Sequence, residues 1–245
     1  MAPQKCFILP IGKQTKCDSS TCNKTISIES TVLPYEVYAR DLGIHISKDL
    51  KWEVHVKKII KQASFVSYKI LKSFRTKNIW TLVKLYKSYV RPKLEYNTQV
   101  WSPYLVKDEK ALEKVQKRYT KIICRRCNIS FSSYPDRLCK LNLLSLENRR
   151  IRFDLILLYK IIHGLSDLNF DSYFKIENSP YPLRHGTAKI LPKQHFTCGV
   201  WLGSFFERAP KYWNRLGTDV SSAITLPLFK SKLQKVSFDA LLKSY

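Results

Sequence analysis

Nowhere does this sequence string together the roughly 20 apolar residues that a membrane-spanning helix needs. Its best run, Leu155 to Tyr159 with Ile161 and Ile162, is short and contains Lys160. The N-terminus lacks a signal-peptide core, so an intracellular protein of nucleus or cytoplasm is expected, its seven cysteines reduced. The five histidines are dispersed, with no His-Glu-x-x-His pattern and no Ser/Cys–His nucleophile arrangement, which excludes the hydrolase classes those patterns mark. His45 and His55 are read as structural. There is no adjacent Asp pair; the one pair of neighbouring acids, Asp108-Glu109, sits at a helix start, where the helix dipole accounts for it. Cys124 and Cys127 have zinc-like spacing, with Cys139 further on and His163 later, but Cys6, Cys17, Cys22 and Cys198 offer no clean second pair, so no metal is assigned to them. The flanking arginines would lower a cysteine pKa there.

Acids are scarce overall: 19 Asp and Glu stand against 43 Lys and Arg, a net charge of +24. Such an excess attracts polyanions through counterion release, and nucleic acid is the first partner it implies. The bases run along the whole chain instead of flanking one apolar anchor, so no membrane partner is expected. At 245 residues, 44% hydrophobic and with 5 Trp, 12 Phe and 14 Tyr, the chain can bury a core and is not a disordered tail.

The first part alternates as strands do: Phe7 to Ile11, Thr25 to Glu29, then Val37 to Ile46, with turn material at Lys13 to Asn23. A small antiparallel sheet is expected, with Gly43 as a tight strand position. From Leu50 the period becomes helical, with Val56, Ile59, Ala63, Val66, Ile70 and Phe74 on one stripe and Lys51, Lys58, Lys61, Lys69 and Lys72 opposite, Phe65 among them. A second helix runs from Asn78 towards Trp101, and Pro92 should break or kink it near Arg91. A third fits Asp108 to Arg126, with Leu112, Val115, Tyr119, Ile122 and Ile123 inward. Ser145 caps a fourth that ends near Gly164. That helix is apolar nearly all round between Asp154 and Ile162, which places it in the middle of a bundle. Asn169 to Lys193, with Pro180, Pro182, Gly186 and Pro192, reads as a loop or a few short strands. Leu202 to Leu216 and Pro227 to Leu242 fit two more helices. The fold class is α+β, mainly α: a strand region at residues 1–47, a helical bundle at 48–165 and a C-terminal extension with a loop and two helices at 166–245.

The run Leu85-Tyr86-Lys87-Ser88-Tyr89-Val90-Arg91-Pro92-Lys93-Leu94-Glu95-Tyr96, followed by Val100-Trp101-Ser102-Pro103-Tyr104, resembles the helix after the palm in reverse transcriptases of LINE-type (non-LTR) retrotransposons. Other segments are similar to that family in the same order. They are Lys5 to Leu9 before Gly12, Asp41-Leu42-Gly43-Ile44 with Leu50 and His55, Leu112-Glu113-Lys114-Val115-Gln116-Lys117-Arg118-Tyr119-Thr120, Leu146-Glu147-Asn148-Arg149-Arg150, Phe205-Phe206-Glu207-Arg208-Ala209, Trp213-Asn214-Arg215-Leu216 and Leu226-Pro227-Leu228-Phe229-Lys230. The resemblance implies the part downstream of the catalytic palm, in which the helices form a thumb-like bundle that grips the template-primer backbone.

Nucleotidyl transfer needs carboxylates that hold two Mg²⁺ ions, and in the resembled family an Asp-Asp pair of the palm supplies them. This chain has no such pair. It is therefore expected not to be an enzyme by itself, with no cofactor (Mg²⁺ would require the palm) and no small-molecule substrate. The expected partners are the backbone of RNA or an RNA–DNA duplex and the upstream polymerase segment. The residues expected to bind nucleic acid are Lys58, Lys61, Lys69, Lys72 and Arg75, with Lys77, in and after the first helix, and Lys114, Lys117, Arg118, Lys121 and Arg125, with Arg126, on another. Six phosphate contacts imply a salt slope of roughly −4 to −5. Phe65, Tyr68, Tyr86, Tyr89 and Trp101 could stack on bases or fill the core. Two alternatives stand beside this reading: a structural helical remnant without activity, and a truncated gene model of a full RNA-directed DNA polymerase.

Overall fold

The computed structural model describes residues 6–11, 25–28, 30–178, 188–194 and 199–238. The turn expected at Lys13 to Asn23 and the punctuators Pro180, Pro182 and Gly186 lie outside them, as do residues 239–242 of the last expected helix. The architecture is α+β and mainly helical, with small antiparallel sheets. Two units make it up, Met1–Ile59 and Ile60–Tyr245.

In the first unit β1 (Ser27–Ile28) pairs antiparallel with β2 (Thr31–Val32), and β3 (Tyr38–Asp41) with β4 (Ile44–Ser47). Val37 to Ile46 is thus a hairpin and not one strand. Leu42 and Gly43 both have positive φ, 44° and 87°, the two-residue turn whose twist matches that of paired strands. Gly43 is therefore a turn residue, and the expectation of a tight strand position is corrected. Phe7 to Ile11 contributes only a bridge from Ile8 to Tyr35, and that bridge is parallel. Among its described residues the region forms two separate two-stranded sheets instead of one. The His45 backbone N–H donates to His55 Nδ1 at 3.3 Å, and burial brings the His55 imidazole down to about 4. It is neutral at pH 7 and packs as core.

Helix α1 (Glu53–Ser73) starts in the first unit and continues into the second. Val56, Ile59, Ala63 and Ile70 of its apolar stripe are buried; Phe74 follows the helix end and is exposed. Next come α2 (Ile79–Leu85), capped by the Asn78 side chain, a π-helical turn (Tyr86–Val90) and α3 (Arg91–Glu95), without a break. Pro92 has no N–H to donate, and its ring would press on the carbonyl four residues back. The wider turn just before it relieves both, so of the break or kink expected near Arg91 the helix shows a π-helical distortion at Tyr86–Val90 and no break. The chain turns instead at Asn97, φ 54°, into α4 (Thr98–Trp101).

Helix α5 (Val106–Arg126) matches its apolar stripe, and α6 (Tyr134–Lys140), which the sequence pattern did not mark, is capped by Ser133. In α7 (Leu146–Ile162) the Ser145 side chain accepts from the Asn148 N–H. At its other end Gly164 takes φ 63°, the Gly164 N–H donates to the Ile161 carbonyl and the Leu165 N–H to that of Lys160. This is a Schellman close. Beyond lie α8 (Phe170–Tyr173), the hairpin β5 (Phe174–Asn178) with β6 (Ala188–Pro192), α9 (Gly199–Leu202), α10 (Phe205–Trp213), α11 (Thr218–Ser221) and α12 (Leu226–Lys235). The helix expected over Leu202 to Leu216 is thus α10 alone, cut by Gly203-Ser204 before it and ended at Asn214, whose amide bonds both backbone groups of Ile190.

Helix α7 is enclosed as its all-round apolarity required. Ile151, Leu155 and Tyr159 pack with Leu216, Phe229 and Leu233. Leu158 and Ile161 pack with Phe174, Phe205 and Ala209.

Candidate nucleic-acid interface

Many residues of the segments that carry the resemblance turn inward and hold the second unit together. Tyr86, fully buried, donates to Gln116 Oε1 at 2.6 Å. The Gln116 amide donates to the Tyr134 hydroxyl at 2.8 Å and to the Leu144 carbonyl at 3.0 Å. The Tyr134 hydroxyl donates to Glu113, which also accepts the Leu146 N–H at the start of α7. Arg149 of α7 grips Glu95 of α3 through two nitrogens. Arg208 of α10 is bidentate on buried Asp154 of α7, at 2.7 and 3.2 Å, and donates to the carbonyls of Gly203 and Gln99. Burial pushes the Asp154 carboxyl up, against the pull of Arg208. Removing one partner of such a buried pair leaves the other desolvated and is strongly destabilising.

Their positions leave the basic residues outside. Lys61, Lys69, Lys72, Arg75, Lys114, Lys117, Arg118, Lys121 and Arg125 are all exposed. Lys58 is the exception: half-buried in the first unit, its ammonium lies 4.7 Å from the Tyr38 ring centroid and 3.2 Å from His45 Nδ1. Arg126 is also engaged, donating to the carbonyls of Phe74 and Leu71 at 2.7 and 2.8 Å and so closing the C-terminus of α1. That bond brings the basic ends of α1 and α5 together.

Between the two helices runs a groove of about 280 Å³, lined by Ser64, Ser67, Tyr68, Leu71 and Lys72 of α1 and by Val115, Arg118, Tyr119 and Ile122 of α5. Lys61 and Lys69 fall within about 60° of Lys72 on the wheel of α1, as do Lys114, Lys121 and Arg125 of Arg118 on α5. Both banks are therefore cationic. Lys117 lies further round, its ammonium 5.0 Å from the Tyr134 ring centroid, and Arg75 follows the end of α1. Along the sequence no Asp or Glu occurs between Glu53 and Glu95 or between Glu113 and Asp136, and Glu113 itself lies within electrostatic reach of Lys117.

The aromatics divide. Tyr86 and Trp101 are fully buried, whereas Phe65, Tyr68 and Tyr89 are more than half exposed. Lys69 sits 4.4 Å from the Phe65 ring centroid and Lys72 5.7 Å from that of Tyr68. The groove residues Ser64, Tyr68 and Leu71 were not singled out by sequence as a set, because their partners lie some 50 residues away on α5. Cys124 and Cys127 both have raised thiol values because burial outweighs the neighbouring cations, which corrects the expected lowering. Among the described residues no three His, Cys, Asp or Glu side chains group as a metal site, and no helix is long and apolar enough to cross a membrane.

A comparison with curated proteins finds 32% identity over 139 residues to "Uncharacterized protein B0403.1" of Caenorhabditis elegans, covering 57% of this chain and 69% of that protein. No family model matches the chain. No solved structure matches it.

Proposed function

Since the chain belongs to the same family as the Caenorhabditis elegans protein B0403.1, whose name states no activity, we propose a function read from its own surface: sequence-tolerant binding of a nucleic-acid backbone. The observation that carries this reading is the pair of long basic helices, α1 and α5, that present exposed Lys and Arg on both banks of one groove with no acid among its lining residues. Phosphate contacts by flexible cations fix position without reading bases. The resemblance to the thumb-like part of a LINE-type reverse transcriptase supports the same reading and names the ligand class, RNA or an RNA–DNA duplex. It belongs with no catalytic assignment to this chain alone, because the adjacent aspartates of that family's palm have no counterpart in the sequence.

Fluorescence anisotropy with a labelled RNA–DNA duplex tests the proposal across salt concentrations. Six contacts predict a loss of about a thousandfold in affinity between about 50 and 200 mM salt. Reversing Lys69, Lys72, Arg118 and Lys121 to Glu weakens binding equally on unrelated sequences and makes the salt slope shallower by about four. A weak, salt-independent response refutes the grip and leaves the inert helical remnant. Primer extension by the purified chain stays at background.

A further inference from the structure

The floor of the groove has a chemistry that phosphate contacts do not use. The Ser67 hydroxyl donates to the Ala63 carbonyl at 2.7 Å and the Tyr119 hydroxyl to the Leu82 carbonyl at 2.9 Å. With those polar groups satisfied inside the protein, Leu71, Val115 and Ile122 present an apolar floor. Tyr68, 59% exposed, stands at one edge. The charged groups at the rim, Lys72 and Arg118, are both cations. An apolar slot with an exposed ring and a purely cationic rim fits a flat, weakly polar group joined to an anion.

We propose that the groove receives an unpaired nucleobase of the bound strand, stacked against Tyr68, with its phosphate held by Lys72 or Arg118. The inference rests on the backbone-binding reading and adds a preference to it. A base within a duplex is stacked on its neighbours and cannot enter the slot; a base in a single-stranded overhang can. Aromatic stacking of this kind tolerates every base, since each has a π-face.

The test compares a blunt RNA–DNA duplex with the same duplex carrying a short unpaired overhang that contains 2-aminopurine. The wild-type chain binds the overhang form about tenfold more tightly, the low end of what one stacked base contributes, and the 2-aminopurine fluorescence changes on binding. Tyr68→Ala removes the ring, and Ser64→Trp, at an exposed lining position, fills the slot. Each abolishes the tenfold preference and the fluorescence change while blunt-duplex affinity stays within about twofold of wild type. Equal wild-type affinity for the two ligands overturns the inference and leaves the backbone grip standing. A parallel fall for both ligands in the two variants also overturns it. An acidic peptide with an apolar side chain that displaces the overhang, and is itself blocked by Ser64→Trp, assigns the slot to a protein partner and overturns it too. Failure to bind either duplex overturns the backbone reading itself.

Discussion

Arg208→Ala is the sharpest test of what holds the second unit together. The guanidinium joins three helices: it is bidentate on Asp154 of α7, bonds the Gln99 carbonyl in α4 and bonds Gly203 just ahead of its own helix α10. The Asp154 side chain is 2% exposed, so truncating Arg208 strips a buried carboxylate of its hydrogen-bonded partner and leaves Arg150 as the neighbouring cation. Breaking one side of such a pair costs about 3–5 kcal/mol, or roughly 6–20 °C in Tm for a unit of this size. The deficit has a pH signature. Burial already holds the Asp154 carboxyl above its ordinary value, and Arg208 pulls it down; without Arg208 the folded-state value rises further. A carboxyl whose folded value exceeds its unfolded one binds its proton more tightly when folded. Its contribution is present at low pH and lost as pH rises from the unfolded value through the folded one. The variant's deficit relative to wild type is therefore largest at neutral pH and shrinks as pH falls through the carboxylate range. Urea unfolding followed by far-UV circular dichroism at about pH 5 and about pH 8 measures it. Adding Asp154→Asn to Arg208→Ala recovers part of the loss at the higher pH. A deficit below about 1 kcal/mol, or one identical at both pH values, refutes the account of Arg208 as the partner that stabilises the buried Asp154 carboxylate.

Gly164→Ala forces a β-carbon onto a residue at φ 63°; thermal unfolding should show a loss of about 1 kcal/mol, because only glycine takes this conformation freely, and wild-type stability would contradict the Schellman assignment. Tyr86→Phe removes the donor to Gln116 inside the core, with an expected cost of about 1–3 kcal/mol; a silent substitution in urea unfolding would mean that Gln116 finds another partner. Neither change touches the basic banks of the groove, so duplex affinity per folded molecule is unaltered in both.

What the sequence by itself determined is whatever short-range physics controls. A helical stripe repeats within four residues, so α1, α5 and α7 were legible from their apolar spacing, and the caps at Ser145 and Gly164 act within one turn of the helix they close. The charge excess over acids, and the missing aspartate pair, needed no fold at all. Other features depended on distant partners. Lys58 reads like its neighbours on α1, yet it lies against Tyr38 and His45 of a hairpin; Arg126 reads as one more base of α5, yet it closes a helix 52 residues earlier. Pro92 signals a break that the preceding π turn absorbs, and Gln116 of a charged helix lies fully buried, tying Tyr86, Tyr134 and Leu144. The groove belongs with these: Tyr68 and Leu71 come within reach of Val115 and Ile122 once α1 and α5 lie side by side. Periodicity tells which face of a helix is apolar, but only packing decides whether two such faces seal against each other or leave a slot, because that depends on side-chain volumes meeting across the interface.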